Sequence, residues 1–113
     1  MASSFDLQGT LDVLILKTLA WGRPMHGYAI RSWLKQRTDD VILVEEGALY
    51  PALHRLERAG AIAAEWGLSE NNRRAKYYQL TARGRQLMRA EVSEWERYVE
   101  AVGKVIRTAG MAE

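Results

Sequence analysis

A helix-sized segment and the basic turn after it carry the residues best suited to contact with phosphates and nucleobases. Apolar residues recur at helical spacing in residues 47–60 and predict a helix with one buried stripe. That stripe consists of Leu49, Ala52, Leu53 and Leu56. The remaining surface would present Gly47, Ala48, Tyr50, Pro51, His54, Arg55 and Arg58. A small helix with a polar, basic outer face has the dimensions to enter a DNA major groove, which is about 12 Å wide.

The basic turn lies at residues 71–76, between two segments that have the character of strands. Its sequence is Asn-Asn-Arg-Arg-Ala-Lys, and an asparagine can adopt the positive φ that a tight turn needs. Arg73, Arg74 and Lys76 are therefore candidates for contact with the DNA backbone or minor groove. A short amphipathic helix followed by a basic hairpin is the order of elements in a winged helix-turn-helix.

The distribution of charge supports a nucleic-acid surface more strongly than the net charge does. The chain of 113 residues has a formal net charge of only +2. Residues 54–89 contain eight Arg or Lys and three Glu, out of 16 basic and 14 acidic residues in the whole chain. A locally basic face on a near-neutral protein suits phosphate contact. An ordinary solvated surface remains the alternative.

The composition argues against several other classes of function. The chain has no Cys, which excludes disulfides and thiolate chemistry. His26 and His54 are its only histidines, so no metal-ligand set is apparent. Paired carboxylates in an apolar setting and a phosphate-cradling glycine loop are also missing, so we expect neither catalysis nor a cofactor. No apolar run approaches the roughly 20 residues of a membrane span, and no leader is recognisable, which predicts a cytoplasmic protein.

Periodicity and turn residues predict the elements that would hold these candidate residues. The predicted elements are helices at 7–20, 26–37, 46–60 and 81–109, a connector at 38–44 with at most a short extended piece, and strands at 62–69 and 75–80. Thr81 is the predicted N-cap of the last helix. Trp33 and Trp66 are predicted core residues, and Trp66, Leu68, Tyr78 and Leu80 are predicted packing positions of the sheet. The predicted fold is mainly α with a small β-hairpin wing. It comprises a winged helix-turn-helix domain over residues 1–80 and a C-terminal dimerisation helix over 81–113.

The last predicted helix carries a second pattern, an apolar seam whose members are spaced alternately by four and three residues. The seam consists of Met88, Val92, Trp95, Val99, Val102 and Ile106. An a/d pattern sustained for nearly three heptads is typical of helices that pair. A helix of about 28 residues is roughly 42 Å long, more than so small a domain can cover with its own core. Pairing with a second copy is therefore favoured over packing within one chain.

Three ordered motifs resemble the PadR-like transcriptional regulators. They are Met-His-Gly-Tyr-Ala-Ile at 25–30, Ala-Leu-Tyr-Pro-Ala-Leu-His-Arg-Leu-Glu at 48–57, and Arg-Arg-Ala-Lys-Tyr-Tyr-Gln-Leu-Thr at 73–81. The wing at 66–78 is similar to an acidobacterial-type branch of that family, with Asn71 and Asn72 in place of the glycines of the familiar turn. The resemblance implies a homodimeric regulator, usually a repressor, that binds an inverted-repeat operator in double-stranded DNA. It also implies the third helix in the major groove, the wing on the backbone or minor groove and, for some members, a small aromatic or lipophilic effector.

The candidate DNA contacts on the third helix have alternative interpretations. Tyr50 either touches a base or phosphate or packs its ring beside the helix. Pro51 is expected mainly to shape the start of the helix. His54, on the outer face, favours DNA over a metal because only one other histidine exists.

Outside that helix, His26 is expected to cap or orient the second helix, and Tyr28 beside it is a candidate phosphate contact. Trp95 either belongs to the dimer core or contacts a flat ligand. The competing function is a winged-helix module for protein contact, which would need a hydrophobic outer face on the third helix. Gly47, His54 and Arg58 on that face favour DNA instead.

Overall fold

The chain forms four helices and a small three-stranded antiparallel sheet. The computed structural model describes residues 7–108, and side chains from residue 9 onward. In chain order the elements are α1 (Leu7–Leu19), β1 (Met25–His26), α2 (Gly27–Arg37), α3 (Glu46–Arg58), β2 (Ile62–Leu68), β3 (Arg74–Leu80) and α4 (Ala82–Ile106). The predicted fold class, mainly α with a β wing, is confirmed.

The core lies where α1, α2, α3 and the base of the sheet meet. Its fully buried side chains include Ile15, Leu16, Leu19, Ile30, Leu49, Leu53 and Ile62. The predicted stripe of α3 is buried as a whole. Its burial determines which face of the helix points towards solvent. Trp33 is partly buried against the same core, in agreement with its prediction.

The sequence did not predict β1. This strand has two residues, and it pairs with β3 so that Met25 faces Tyr78 and His26 faces Tyr77. The sheet order is therefore β1-β3-β2. Among the described residues, the connector after α2 contains no strand.

The turns and caps largely follow the sequence. Gly60 and Asn72 both have positive φ, at 79° and 59°, and so end α3 and turn the wing. The Thr81 side chain accepts a hydrogen bond from the Gly84 backbone N–H at 3.0 Å, which confirms it as the N-cap of α4. The described helix ends at Ile106, and the predicted end at Ala109 lies outside the described residues.

Pro51 does not shape the start of α3. The N-cap of this helix is Glu45, so Pro51 lies in the second turn. Because proline has no N–H, the Gly47 carbonyl lacks its usual partner four residues on. Gly47 is exposed, and solvent can therefore take that place.

The prediction that Trp66 is a core residue is wrong, and Leu68 is not packed either. Trp66 is 56% exposed and Leu68 is 65% exposed. Both are an even number of residues from the buried Ile62 in β2, and so they lie on the side of the sheet that faces the core. The hairpin is longer than the core beneath it, however, and its outer half extends beyond that core.

Among residues 7–108, the rest of the chain covers the first half of the long helix α4 more than its second half. Leu87 and Met88 pack against the core, whereas Val99, Val102, Val105 and Ile106 are exposed. Principal-axis extents of 58 × 30 × 23 Å show how elongated the chain is. The predicted seam thus begins inside the chain's own core and continues onto an uncovered apolar surface.

Candidate nucleic-acid interface

The outer face of α3 is open to solvent over its whole length. Gly47, Ala48, Tyr50, Pro51, His54 and Arg58 are all exposed. The buried stripe on the opposite side holds this face in a fixed orientation. Within residues 7–108, Arg58 and His54 have no ion-pair partner. The helix therefore presents a polar, weakly basic surface rather than an apolar one.

Tyr50 packs its ring within the chain, which is one of the two interpretations that the sequence left open. Its ring packs against the buried Gly27 at the start of α2, so closely that a Cβ at Gly27 would lie 2.5 Å from the hydroxyl oxygen and 2.7 Å from Cε1. The side chain nevertheless remains 44% exposed. Glycine at residue 27 thus makes room for an aromatic ring whose outer edge stays available.

His26 holds the start of α2, as expected. Its Nδ1 accepts a hydrogen bond from the Ala29 backbone N–H at 3.0 Å, which makes it the N-cap. Its ring lies 5.1 Å from that of Tyr77, between ring centroids. The next aromatic residue, Tyr28, projects from the first turn of α2 and is 69% exposed.

The predicted wing cations differ in how freely their charge is available. Arg73 is exposed, and within residues 7–108 it has no ion-pair partner. The guanidinium carbon of Arg74 lies 4.4 Å from the centroid of the Trp66 ring, a cation–π geometry that leaves the charge uncompensated. Lys76 instead bonds Glu57 of α3, with Nζ 3.1 Å from Oε1. That hydrogen bond is the main cause of the raised pKa of Lys76, and burial opposes it only in part.

Arg55 is also paired within the chain. Its Nη2 lies 2.8 Å from Oδ1 of Asp12 in α1, and both side chains are partly buried. Such a pair couples α3 to α1. Arg55 therefore has a structural partner that its place on the flank of the helix did not indicate.

A groove of about 440 Å³ brings together half of the residues that the sequence predicts to contact DNA. It runs between the start of α2, α3 and the inner side of the wing. Its lining includes Tyr28, Tyr50, Arg73, Arg74 and Lys76 among the predicted contacts, and His26, Trp66 and Tyr78 in addition. Gly47, Ala48, Pro51, His54 and Arg55 lie outside it. The candidate interface thus consists of a cationic, aromatic groove and the adjoining outer face of α3.

Two contributors to this surface escaped sequence reasoning. Trp66 supports Arg74, and Glu57 holds Lys76. No local pattern signals either contact, since both depend on where the hairpin lies relative to α3. The described residues contain neither a cluster of side chains that could hold a metal nor a helix long and apolar enough to cross a bilayer.

Comparison with known proteins shows the family of this chain. The family described as "Transcriptional regulator PadR-like family" matches residues 15–90. A solved structure of a transcriptional regulator from Clostridium thermocellum has a TM-score of 0.79 and 30% identity, over 89% of this chain and 97% of that one. A PadR family transcriptional regulator from Eggerthella lenta has a TM-score of 0.74 and 34% identity, over 90% and 87%. A Lysinibacillus sphaericus protein of uncharacterised function is 30% identical over 102 residues, which are 90% of this chain and 93% of its own.

The family match and the similar solved structures identify a DNA-binding transcription regulator rather than an enzyme. The chain belongs to the PadR-like family of transcriptional regulators.

Proposed function

We propose that this chain is a repressor that binds an inverted-repeat operator as a homodimer, and that it acts in the cytoplasm. One observation carries the proposal. The groove beside the wing adjoins the exposed outer face of α3, so that both surfaces can meet one DNA duplex. In this arrangement α3 enters the major groove, and Arg73 and Arg74 reach the adjacent backbone or minor groove. An operator-bound dimer would repress by occupying the promoter.

Base reading is assigned to His54 and Tyr50 on α3. His54 is exposed on the face opposite the buried stripe, and Tyr50 is held in place by Gly27. We expect His54→Ala to weaken operator binding by about 1–3 kcal/mol, the value of one good base contact, and to weaken binding to random DNA far less.

Competition binding with operator and random duplexes measures this difference. Arg58→Ala serves as the matched control, because Arg58 is exposed on the same helix and would act through phosphate alone. Equal losses on both duplexes for His54→Ala would show that His54 only positions the protein and would overturn its reading role.

The proposed dimer forms through α4. Its uncovered half continues the apolar seam through Val99, Val102 and Ile106, all of them exposed in the single chain. Two such helices related by a twofold axis would bury this surface and set the two α3 helices apart. Half-sites about 34–36 Å apart, one turn of DNA, would match that symmetry.

The dimer is tested by Val99→Asp, which would bury an unpaired charge at the centre of the seam. Burial of such a charge costs several kcal/mol, so the variant should sediment as a monomer where the wild type sediments as a dimer. Analytical ultracentrifugation at micromolar concentration measures both. A monomeric wild type would contradict the proposal directly.

The proposed effector is a small aromatic or lipophilic molecule that contacts Trp95. The Trp95 ring stacks on Tyr98 with centroids 5.8 Å apart; Trp95 is partly buried and Tyr98 is 43% exposed. A flat ligand between two such helices would change their separation and hence the spacing of the α3 helices. Quenching of Trp95 fluorescence in a variant that retains only this tryptophan provides the readout.

A further inference from the structure

The first turn of α3 carries an exposed carboxylate at the end of the helix that we propose enters the major groove. Glu46 is the first residue of the helix, and its side chain is 71% exposed. The two residues that follow, Gly47 and Ala48, are small and exposed, and a Cβ at Gly47 would meet nothing within 4 Å. This end of α3 can therefore approach a base pair closely. In helix-turn-helix proteins the N-terminal residues of the recognition helix are those that contact base edges.

The Glu46 carboxylate is held by an arginine from α2. Nη1 of Arg31 lies 3.4 Å from Oε2 of Glu46, and Nε of Arg31 donates to the Val44 carbonyl at 2.7 Å. The second contact fixes the guanidinium on the backbone just before α3. The arginine thus orients the carboxylate and offsets its charge, which would otherwise be repelled by nearby phosphates. Within residues 7–108, Oε1 of Glu46 has no hydrogen-bond partner.

The chemistry of the major groove points to one base for this group. An ionised carboxylate can only accept hydrogen bonds. Cytosine offers its N4 amino group there, whereas adenine places the acceptor N7 beside its amino group, and guanine and thymine present acceptors at the same edge. Adenine N7 would repel a carboxylate oxygen that approached N6. Cytosine is therefore the base that suits Glu46.

We propose that Glu46 is a specificity-determining residue that accepts a hydrogen bond from N4 of a cytosine in each half-site. The proposal rests on the proposed function, since it requires α3 in the major groove. Arg31 acts as a positioning residue for this contact. A purely structural role for Glu46 would consist of its pairing with Arg31 and its favourable position at a helix N-terminus, and neither of these would produce a base preference.

The test is selection of bound duplexes from random DNA with the full-length protein, followed by binding to the selected sequence. The wild type should enrich a palindromic motif with a fixed cytosine in each half. Changing that base pair in one half-site should weaken wild-type binding by roughly 5- to 150-fold. Glu46→Ala should bind both duplexes equally. Glu46→Gln should prefer adenine at the same place, because glutamine bonds N6 and N7 of adenine.

Glu45→Ala is the matched control. Glu45 is also exposed, carries the same charge one residue earlier, and makes no side-chain hydrogen bond as the N-cap. Both alanine variants should bind random DNA slightly better through reduced repulsion, but only Glu46→Ala should lose the cytosine preference. Loss of that preference in both variants, or its retention in Glu46→Ala, would overturn the role of Glu46 while leaving operator binding intact. A wild type that enriches no motif would overturn the proposed function itself, and the role of Glu46 with it.

Discussion

Helix α3 and the wing lie side by side on the candidate interface, yet they are held in different ways. The buried side of α3 contributes Leu49 and Leu53, both 0% exposed, to the centre of the core. The wing joins the core at its base, where Ile62 and Tyr78 are buried and Ala64 and Leu80 are partly buried. Farther out, Trp66 has Arg74 over its ring and little else. A rigid helix thus stands beside a hairpin whose outer half depends on its own strand pairing and on the ion pair between Lys76 and Glu57 of α3.

This difference suggests a division of labour between the two elements. Reading a base edge requires an accurately placed side chain, and the packed stripe of α3 provides that accuracy. Contact with phosphate tolerates variation in position, because the attraction is long-ranged and without direction. The less constrained wing therefore suits Arg73 and Arg74, and the better constrained helix suits His54.

The largest expected effect is on the free energy of unfolding, to which α3 should contribute more than the wing. Leu53→Ala should lower the free energy of unfolding by about 2–5 kcal/mol, because it leaves a cavity in the core. Trp66→Ala should lower it by no more than about 1 kcal/mol, the value of an exposed cation–π contact. Chemical denaturation monitored by circular dichroism measures both. Similar losses for the two variants would show that the wing carries more of the fold than its exposure indicates.

The second prediction concerns the salt dependence of DNA binding, to which the free and the paired wing cations should contribute unequally. Each lost phosphate contact reduces the slope of log affinity against log salt by about 0.9. Arg73→Ala combined with Arg74→Ala should therefore reduce the slope by about 3.6 in a dimer, which carries each residue twice. Lys76→Ala should change it less, because Glu57 already neutralises that ammonium.

Anisotropy titrations with a random duplex at several salt concentrations measure these slopes. Glu57→Gln provides the control, since it frees Lys76 without removing the cation and should steepen the slope. An unchanged slope in the double arginine variant would show that Arg73 and Arg74 do not contact phosphate.

The smallest expected effect is at Gly27, which connects the two elements through Tyr50. Gly27→Ala should push the Tyr50 ring away and weaken operator binding by roughly 0.5–1.5 kcal/mol, the energy of holding a side chain off its preferred rotamer. Fold stability should be unchanged or slightly higher, since alanine restricts the unfolded chain. A double-mutant cycle with Tyr50→Ala is the check, because Gly27→Ala should have no further effect in that background.

The sequence predicted what local patterns determine and missed what depends on distant residues. The stripe of α3, the positive φ of Asn72 and the Thr81 cap all follow from residues within a few positions of one another. The ion pairs of the interface join residues 43 and 19 positions apart. No periodicity reports such contacts.

The errors in the sheet have the same origin. Strand β1 is only two residues long and exists because β3 lies beside it. Trp66 has the residue type and alternation of a core position, but its exposure depends on how far the core extends under the hairpin. Both are properties of the assembled chain.

The three-stranded base of the sheet has a consequence for the lifetime of its hydrogen bonds. Tyr77 and Tyr78 of β3 are flanked by β1 on one side and β2 on the other, whereas Arg74, Ala75 and Lys76 pair with β2 alone. Opening free energies measured by amide exchange should therefore rise from the tip of the wing towards its base. The tip can then fray and re-form against an irregular phosphate backbone while the base, joined to the cap of α2 through His26, stays closed.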